Sequence, residues 1–303
     1  REMWRAIRSE GHWTGEIWNQ RKDGHVYLQR LTIACVKNAS GETTHYVGNG
    51  QDLTRRKQGE ADRAAIMAAR TVQRSLFPSD APCVPGFDIA GAVHPAERVS
   101  GDFFDYIPLG QNSVGVVVAD VSGHGLGPSL LMAKTQAYLH ALGEFRQDPG
   151  DLLTHTNRLF GMNSSGNFVT IFLGRLDPGR RSFIYAGAGH QGYLVSVNGD
   201  VRQLDATSVP LGVVRDFVMS SAPEIALETG DTILLPTDGI EEAYRRDRRP
   251  FGQQRMFDII RNHQGHSAAQ IVEMLFAEAR HFAEGEPQQD DITAVVIKVL
   301  DAT

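Results

Sequence analysis

Several apolar runs of this chain follow one another across gaps too short to hold a helix, and that limits the folds open to it. Asp177-Pro178-Gly179 separates the run 167–176 from 182–188, and Asn198-Gly199-Asp200 closes the run 192–197. A parallel crossover needs a dozen residues or more, so runs spaced this closely must pair as antiparallel hairpins. Residues 87–93, 114–120, 232–235 and 292–299 are further strand candidates. Helical periodicity falls at 127–145, 151–160, 253–261 and 268–283, so helices come in pairs between groups of strands. That order predicts an α+β fold with sheets inside and helices outside, unlike a Rossmann alternation.

The chain ahead of this domain reads differently. Trp13-Thr14-Gly15-Glu16-Ile17-Trp18 alternates and runs into the hairpin signal Lys22-Asp23-Gly24. Strands are expected at 25–36 and 43–49, with a turn at Asn38-Ala39-Ser40-Gly41 between them. Three strands alone make a marginal sheet. From 54 to 77 Ala, Arg, Gln and Glu dominate and no proline occurs before Pro78, which predicts a helix. Ala65, Ala69, Val72 and Leu76 lie on one seam of it, a short coiled-coil outline that suggests a homodimer through this linker. The expected domains are therefore 1–53, a helical linker 54–77, and 78–303.

The composition excludes some functions. Of 303 residues 41% are hydrophobic, enough for a sizeable core, and the net charge of -6 argues against a nucleic-acid binder. No apolar run has the length of a membrane span and the first ten residues lack a secretion signal. Cys35 and Cys83 are too few for a disulfide framework or a thiolate metal site, which places the chain in a reducing cytoplasm. The missing initiator Met suggests a fragment with an upstream domain absent.

Acidic residues cluster where strands begin or end: Ser100-Gly101-Asp102-Phe103-Phe104-Asp105, Ala119-Asp120-Val121-Ser122-Gly123-His124-Gly125, Pro236-Thr237-Asp238-Gly239 and Gln289-Asp290-Asp291-Ile292-Thr293. A lone Asp-Gly is ordinarily a turn, and a lone Asp-Asp a solvated cap. An Asp at the end of a buried strand is costly unless neutralised, and nothing nearby in sequence neutralises these. Divalent cations would, and oxygen donors suit Mg²⁺ or Mn²⁺. Cys83 lies close to prolines with no evident base, so a covalent nucleophile is not expected.

Together with Ala188-Gly189-His190, these motifs resemble, in order and over roughly residues 75 to 300, the SpoIIE/RsbU-type branch of the metal-dependent protein Ser/Thr phosphatases (PPM superfamily). The resemblance implies a four-layer α-β-β-α sandwich, two divalent cations (Mn²⁺ or Mg²⁺), and hydrolysis of phosphoserine or phosphothreonine by a metal-activated water. It implies that Asp120 bridges both metals and that the Val121 carbonyl is a backbone ligand beside it. Asp238 and Asp290 would complete the first metal, and Asp102 would serve the second. Asp291 is the alternative should the register at that pair shift by one. Asp105 reads as supporting structure. His124 is a candidate proton donor or a shaper of its turn, and His190 a local packing residue. Ser100 stands where the family usually has a second glycine, and Arg98 is not a fixed family feature but could contact substrate phosphate.

The front motifs Trp13-Thr14-Gly15-Glu16, Arg21-Lys22-Asp23-Gly24, Tyr46-Val47-Gly48 and Asp52-Leu53-Thr54-Arg55-Arg56-Lys57 resemble the C-terminal part of a PAS sensor domain and its exit into a signalling helix. By resemblance the substrate is a phosphorylated STAS-domain anti-sigma factor antagonist in bacterial partner switching, with no nucleic acid and no membrane involved. A phosphatase of small phosphorylated molecules and a catalytically dead scaffold are the competing readings.

Overall fold

The structure, a computed structural model, describes residues 2–110, 112–161 and 166–301. It divides into two compact units, Arg1–Ala68 and Ala69–Thr303. The boundary falls within a single helix, α2 (Thr54–Arg74).

In the first unit, α1 (Glu2–Glu10) precedes an antiparallel sheet of β1 (His12–Gln20), β2 (Val26–Lys37) and β3 (Thr43–Asp52), in that order. The β1–β2 turn forms where Asp23 and Gly24 predict it. Gln20 faces Val26, and Asp23 Oδ1 accepts from the His25 N–H at 3.0 Å. The sheet is thinly covered: Trp18, Tyr46 and Val47 are all more than half exposed. Helix α1 was not anticipated, although Met3, Trp4 and Ile7 recur at helical spacing; only its Ile7 is buried. α2 spans Thr54–Arg74.

The second unit stacks two five-stranded sheets between helices. One sheet runs β11 (Ile225–Ala226), β8 (Ser182–Ala188), β7 (Val169–Asp177), β6 (Ser113–Val121), β5 (Phe103–Leu109). The other runs β10 (Val201–Leu204), β9 (Gly192–Val195), β12 (Thr232–Pro236), β13 (Ile292–Val299), β4 (Phe87–His94). Every strand pairing in both is antiparallel. Helices α3 (Leu126–Gly143) and α4 (Pro149–Gly161) cover the first sheet. The short α5 (Asp238–Glu241), α6 (Gln253–Asn262) and α7 (Ala268–Phe282) lie with the second.

The period-two alternation of the strands creates three cores in this sandwich. Val116 and Val118 of β6 point into the inter-sheet core with Phe172, Val295 and Ile297. Their neighbours Val117, Ala119 and Val121 pack instead with Met132, Leu139 and Leu152 of the helices. On the second sheet Ala294 and Val296 face the helical side, against Ile260, Ile271 and Leu275. The layering is α-β-β-α.

Strand β5 was not foreseen. Its sequence Phe-Phe-Asp-Tyr-Ile-Pro-Leu carries a buried Asp105 and a proline, both poor strand residues. Its edge position lets Pro108 omit a ladder hydrogen bond. Asp105 Oδ1 accepts from the adjacent Tyr106 N–H (2.7 Å), and its Oδ2 is satisfied from outside the strand, by Gln136 Nε2 (2.7 Å) and His140 Nε2 (2.6 Å) of α3. It supports the packing of α3 on β5.

Candidate metal centre

Each acidic motif sits at the same end of the sandwich because each borders a strand there. Asp120 is the penultimate residue of β6, opposite Thr170 of β7. Asp102 immediately precedes β5, whose Phe103 pairs with Ala119. Asp238 opens α5 directly after β12, and Asp290 stands two residues before β13. Strands β12 and β13 are themselves paired, Pro236 facing Ala294.

Two glycines permit close backbone approaches here. A Cβ on Gly101 would lie 2.9 Å from the Val121 carbonyl oxygen, and one on Gly239 only 1.9 Å from that of Asp291. No side chain fits at either place. The Asp238-Gly239 pair is consequently the first turn of a helix packed on the strand beside it, not a surface turn.

Asp102 is 2% exposed, and its carboxylate accepts from Thr237 Oγ1 at 2.7 Å. Thr237 in turn links the two strand ends: its N–H donates to the Thr293 carbonyl (2.9 Å) and its Oγ1 accepts from the Thr293 N–H (3.0 Å). Both threonines lie inside the acidic motifs, yet the sequence assigned them no role. Their function is to tie Asp102 of one sheet to the strand ends of the other.

Asp291 proves to be a structural tether. Its Oδ1 accepts from the Ala96 N–H (2.7 Å), and its Oδ2 accepts from Ser100 Oγ (2.6 Å) and the Gly101 N–H (2.8 Å). It holds the loop that delivers Asp102. Asp290 is exposed; its Oδ1 accepts from the Asp291 N–H at 2.8 Å, and among the described residues its other oxygen has no hydrogen-bond donor. Ser100, where a glycine was expected, uses its hydroxyl for this tether.

The carboxylates repel one another. Burial, then the charges of Asp120 and Asp291, push Asp102 well above the usual carboxylate range. Burial, then Asp238, raises Asp120 to about 6, although a side-chain hydrogen bond with Asp102 opposes the rise. Burial also raises Asp290, with Asp238 and Asp291 adding to it. Among the described residues, no ion pair to Lys or Arg relieves Asp102, Asp120, Asp238 or Asp290. A cleft of about 190 Å³ opens beside Asp120 and Asp238, walled by Thr170, Gln191, Tyr193 and Glu241.

The remaining candidates lie around this cluster. His124 is exposed and pairs through Nδ1 with Glu97 at 3.0 Å. Arg98 is exposed on the loop ahead of Asp102 and makes no ion pair among the described residues. His190 is buried between Thr170 Oγ1 (3.2 Å) and the Pro236 carbonyl (2.8 Å). Burial lowers its pKa to about 4, so it is a neutral strut between the sheets.

Among the described residues, no three His, Cys, Asp or Glu side chains close on a single point as a ready metal cage. The donor chemistry nevertheless fits hard cations. The donors are carboxylate oxygens with a backbone carbonyl left open by Gly101, and their mutual repulsion is what a divalent ion relieves.

The family described as Stage II sporulation protein E (SpoIIE) matches residues 110–300. The chain belongs to the SpoIIE family. This SpoIIE-family chain is 26% identical over 239 residues to the phosphoserine phosphatase RsbU of Bacillus subtilis, covering 78% of this chain and 70% of RsbU. It is 25% identical over 214 residues to the phosphoserine phosphatase RsbP of the same organism, but spans only 50% of that longer protein. The solved SiaA PP2C domain of Pseudomonas aeruginosa superposes with a TM-score of 0.69 at 25% identity, covering 80% of this chain and 98% of that domain. The SpoIIE-family domain is a protein serine/threonine phosphatase of the metal-dependent PP2C fold. Among the described residues no helix is long and apolar enough to cross a membrane.

Proposed function

We propose that this chain removes phosphate from phosphoserine or phosphothreonine of a STAS-domain anti-sigma factor antagonist. Asp102, Asp120, Asp238, Asp290 and the Val121 carbonyl would hold two Mn²⁺ or Mg²⁺ ions. The observation that carries this reading is the arrival of four carboxylates from separate chain segments at one end of the sandwich, where among the described residues no Lys or Arg forms an ion pair with any of them. Bound there, the ions supply a hydroxide at neutral pH and charge stabilisation for the phosphoryl group. The chain's own part is positional. Thr237 and Asp291 fix Asp102 and its loop, and the cleft beside Asp120 and Asp238 receives the phosphorylated side chain.

Phosphate release is the test. With Mn²⁺ titrated in, the purified chain should hydrolyse p-nitrophenyl phosphate and phosphoserine peptides far faster than nucleotides. Preference for nucleotides would favour the small-molecule reading, and no turnover with any metal the scaffold reading.

Regulation by the front segment, read as the C-terminal part of a PAS sensor, belongs to the same proposal. The end of α2 bears on the Asp102 loop. Gln73 Nε2 donates to the Ser100 carbonyl (2.7 Å), and the Ser100 N–H donates to Gln73 Oε1 (2.9 Å). Gln136 of α3 donates to the Leu76 carbonyl at 2.7 Å. A shift of this helix would therefore move the segment leading into Asp102. Val72 on the expected seam is 64% exposed, which leaves room for a second copy to pair there. Deleting residues 1–53 should change activity or its dependence on protein concentration, and unchanged kinetics would remove this part of the proposal.

A further inference from the structure

The segment after α5 concentrates positive charge in an acidic chain. Tyr244-Arg245-Arg246-Asp247-Arg248-Arg249-Pro250 places four arginines in five residues of a protein whose net charge is -6. It folds into a tight hairpin: Tyr244 bridges Pro250, the Arg245 N–H donates to the Arg249 carbonyl (3.1 Å), and the Arg248 N–H to the Arg245 carbonyl (2.9 Å).

The arginines divide by partner. Arg245 pairs with Glu284 and lies 5.6 Å from the Phe282 ring centroid. Arg249 pairs with Asp247 at 3.2 Å. Both are committed to holding the hairpin. Arg246 and Arg248 are exposed and make no ion pair among the described residues. Arg248 also sits at φ 63, a conformation that glycine or asparagine would hold with less strain.

The hairpin is joined to the metal centre by relief as well as by sequence. A cleft of about 500 Å³ at its base is lined by Arg246, Arg248, Glu286 and Gln289. It shares Tyr244, Glu286 and Gln289 with a second cleft of about 280 Å³, which reaches Gly239 and Asp290. The two clefts therefore share a wall, and the second extends from the hairpin's base to Asp290 of the carboxylate cluster.

We propose that residues 244–250 form a docking lobe for an acidic stretch flanking the phosphorylated residue of the protein substrate, with Arg246 and Arg248 as its contacts; this rests on the phosphatase reading above. The carboxylate cluster repels an acidic partner, and a nearby cationic lobe offsets that field and orients the approach. Guanidinium forks grip carboxylates bidentately, which makes arginine the apt residue. Glu284, Glu286 and Asp247, interspersed among the arginines, break up the basic stripe that a nucleic-acid backbone requires, so a protein is the fitting occupant.

The experiment uses the full chain with Mn²⁺ and two phosphoserine peptides that differ only in flanking Glu and Asp against Gln and Asn. The expected result is a kcat/KM about tenfold higher on the acidic peptide at low salt, shrinking as salt is added. Arg246→Gln with Arg248→Gln should abolish that preference through KM while p-nitrophenyl phosphate turnover is unchanged. Equal rates on both peptides, a preference that survives in the double variant, or a matching fall on p-nitrophenyl phosphate would overturn the proposal. Binding is read independently by anisotropy of a labelled acidic peptide bearing plain serine. An enzyme inert on every ester that still selects the acidic peptide breaks the phosphatase reading and leaves the docking lobe standing. Tighter binding of a single-stranded oligonucleotide of equal charge overturns the docking lobe alone.

Discussion

The two sheets contribute carboxylates of opposite character to the same cluster. On the β5–β6 side Asp102 is fully enclosed and Asp120 half-buried, and both are pushed toward the protonated form. On the β12–β13 side Asp238 and Asp290 are exposed, although partial burial and the neighbouring carboxylates still raise Asp290. Asp291, beside Asp290, spends its oxygens on three donors of the opposite loop. Adjacent acidic residues thus hold three different energetic positions: a charge the fold opposes, a charge it tolerates, and a charge it depends on. Activity and stability should separate accordingly.

The largest effect belongs to the enclosed side. Asp120→Asn should lower kcat by about 10³-fold or more, because the central oxygen donor is lost where transition-state charge develops. In chelator its unfolding temperature should equal or exceed that of the wild type, since an opposed buried charge has gone. A fall in both quantities would erase the distinction drawn here. On the exposed side, Asp238→Asn and Asp290→Ala should each lower activity about 10- to 100-fold, partly recovered at high Mn²⁺, with the urea midpoint unchanged.

The neighbouring carboxylate sharpens the contrast. Asp291→Ala strands the Ala96 and Gly101 N–H groups and the Ser100 hydroxyl, and should destabilise the fold by about 2–4 kcal/mol in urea unfolding. If Asp290→Ala destabilised as much, the division of labour at the pair would be lost.

The smallest effect is in pH. The folded pKa of Asp120 is raised from 3.8 to about 6. A carboxyl raised in this way contributes its stability fully below its unfolded pKa and loses it as pH rises through the folded one. Without divalent ions, the unfolding temperature should therefore fall by several degrees between about pH 4 and 7. Asp120→Asn should flatten the decline, and Mn²⁺ should restore stability at the upper end by binding the ionised form. A flat wild-type profile in chelator would show that burial does not set this charge.

Much of the fold was legible because its signals are local. Alternation, hairpin gaps and helical periodicity placed β4, β6–β9, β12, β13, α3, α4, α6 and α7 to within a few residues. Elements lacking those signals were missed: β5 with its Asp105 and Pro108, and the short β10 and β11; α1 was missed although its periodicity is present. At the site, sequence brought forward Asp102, Asp120, Asp238 and Asp290 by their places at strand ends, but left the Asp290–Asp291 register open. Nothing local distinguishes two consecutive aspartates. Thr237 and Thr293 escaped notice because a threonine in a strand end is ordinary until its partner is known.

By itself the sequence determined the layering, the strand-end aspartates and the glycines beside them, since side-chain periodicity and backbone permissiveness act over a few residues. Only the tertiary structure decided which carboxylate each fold partner claims. Asp291 meets its donors, and Asp102 meets Thr237, across more than a hundred residues of chain. Such pairings depend on how two sheets pack against each other, a relation that no short window of sequence contains.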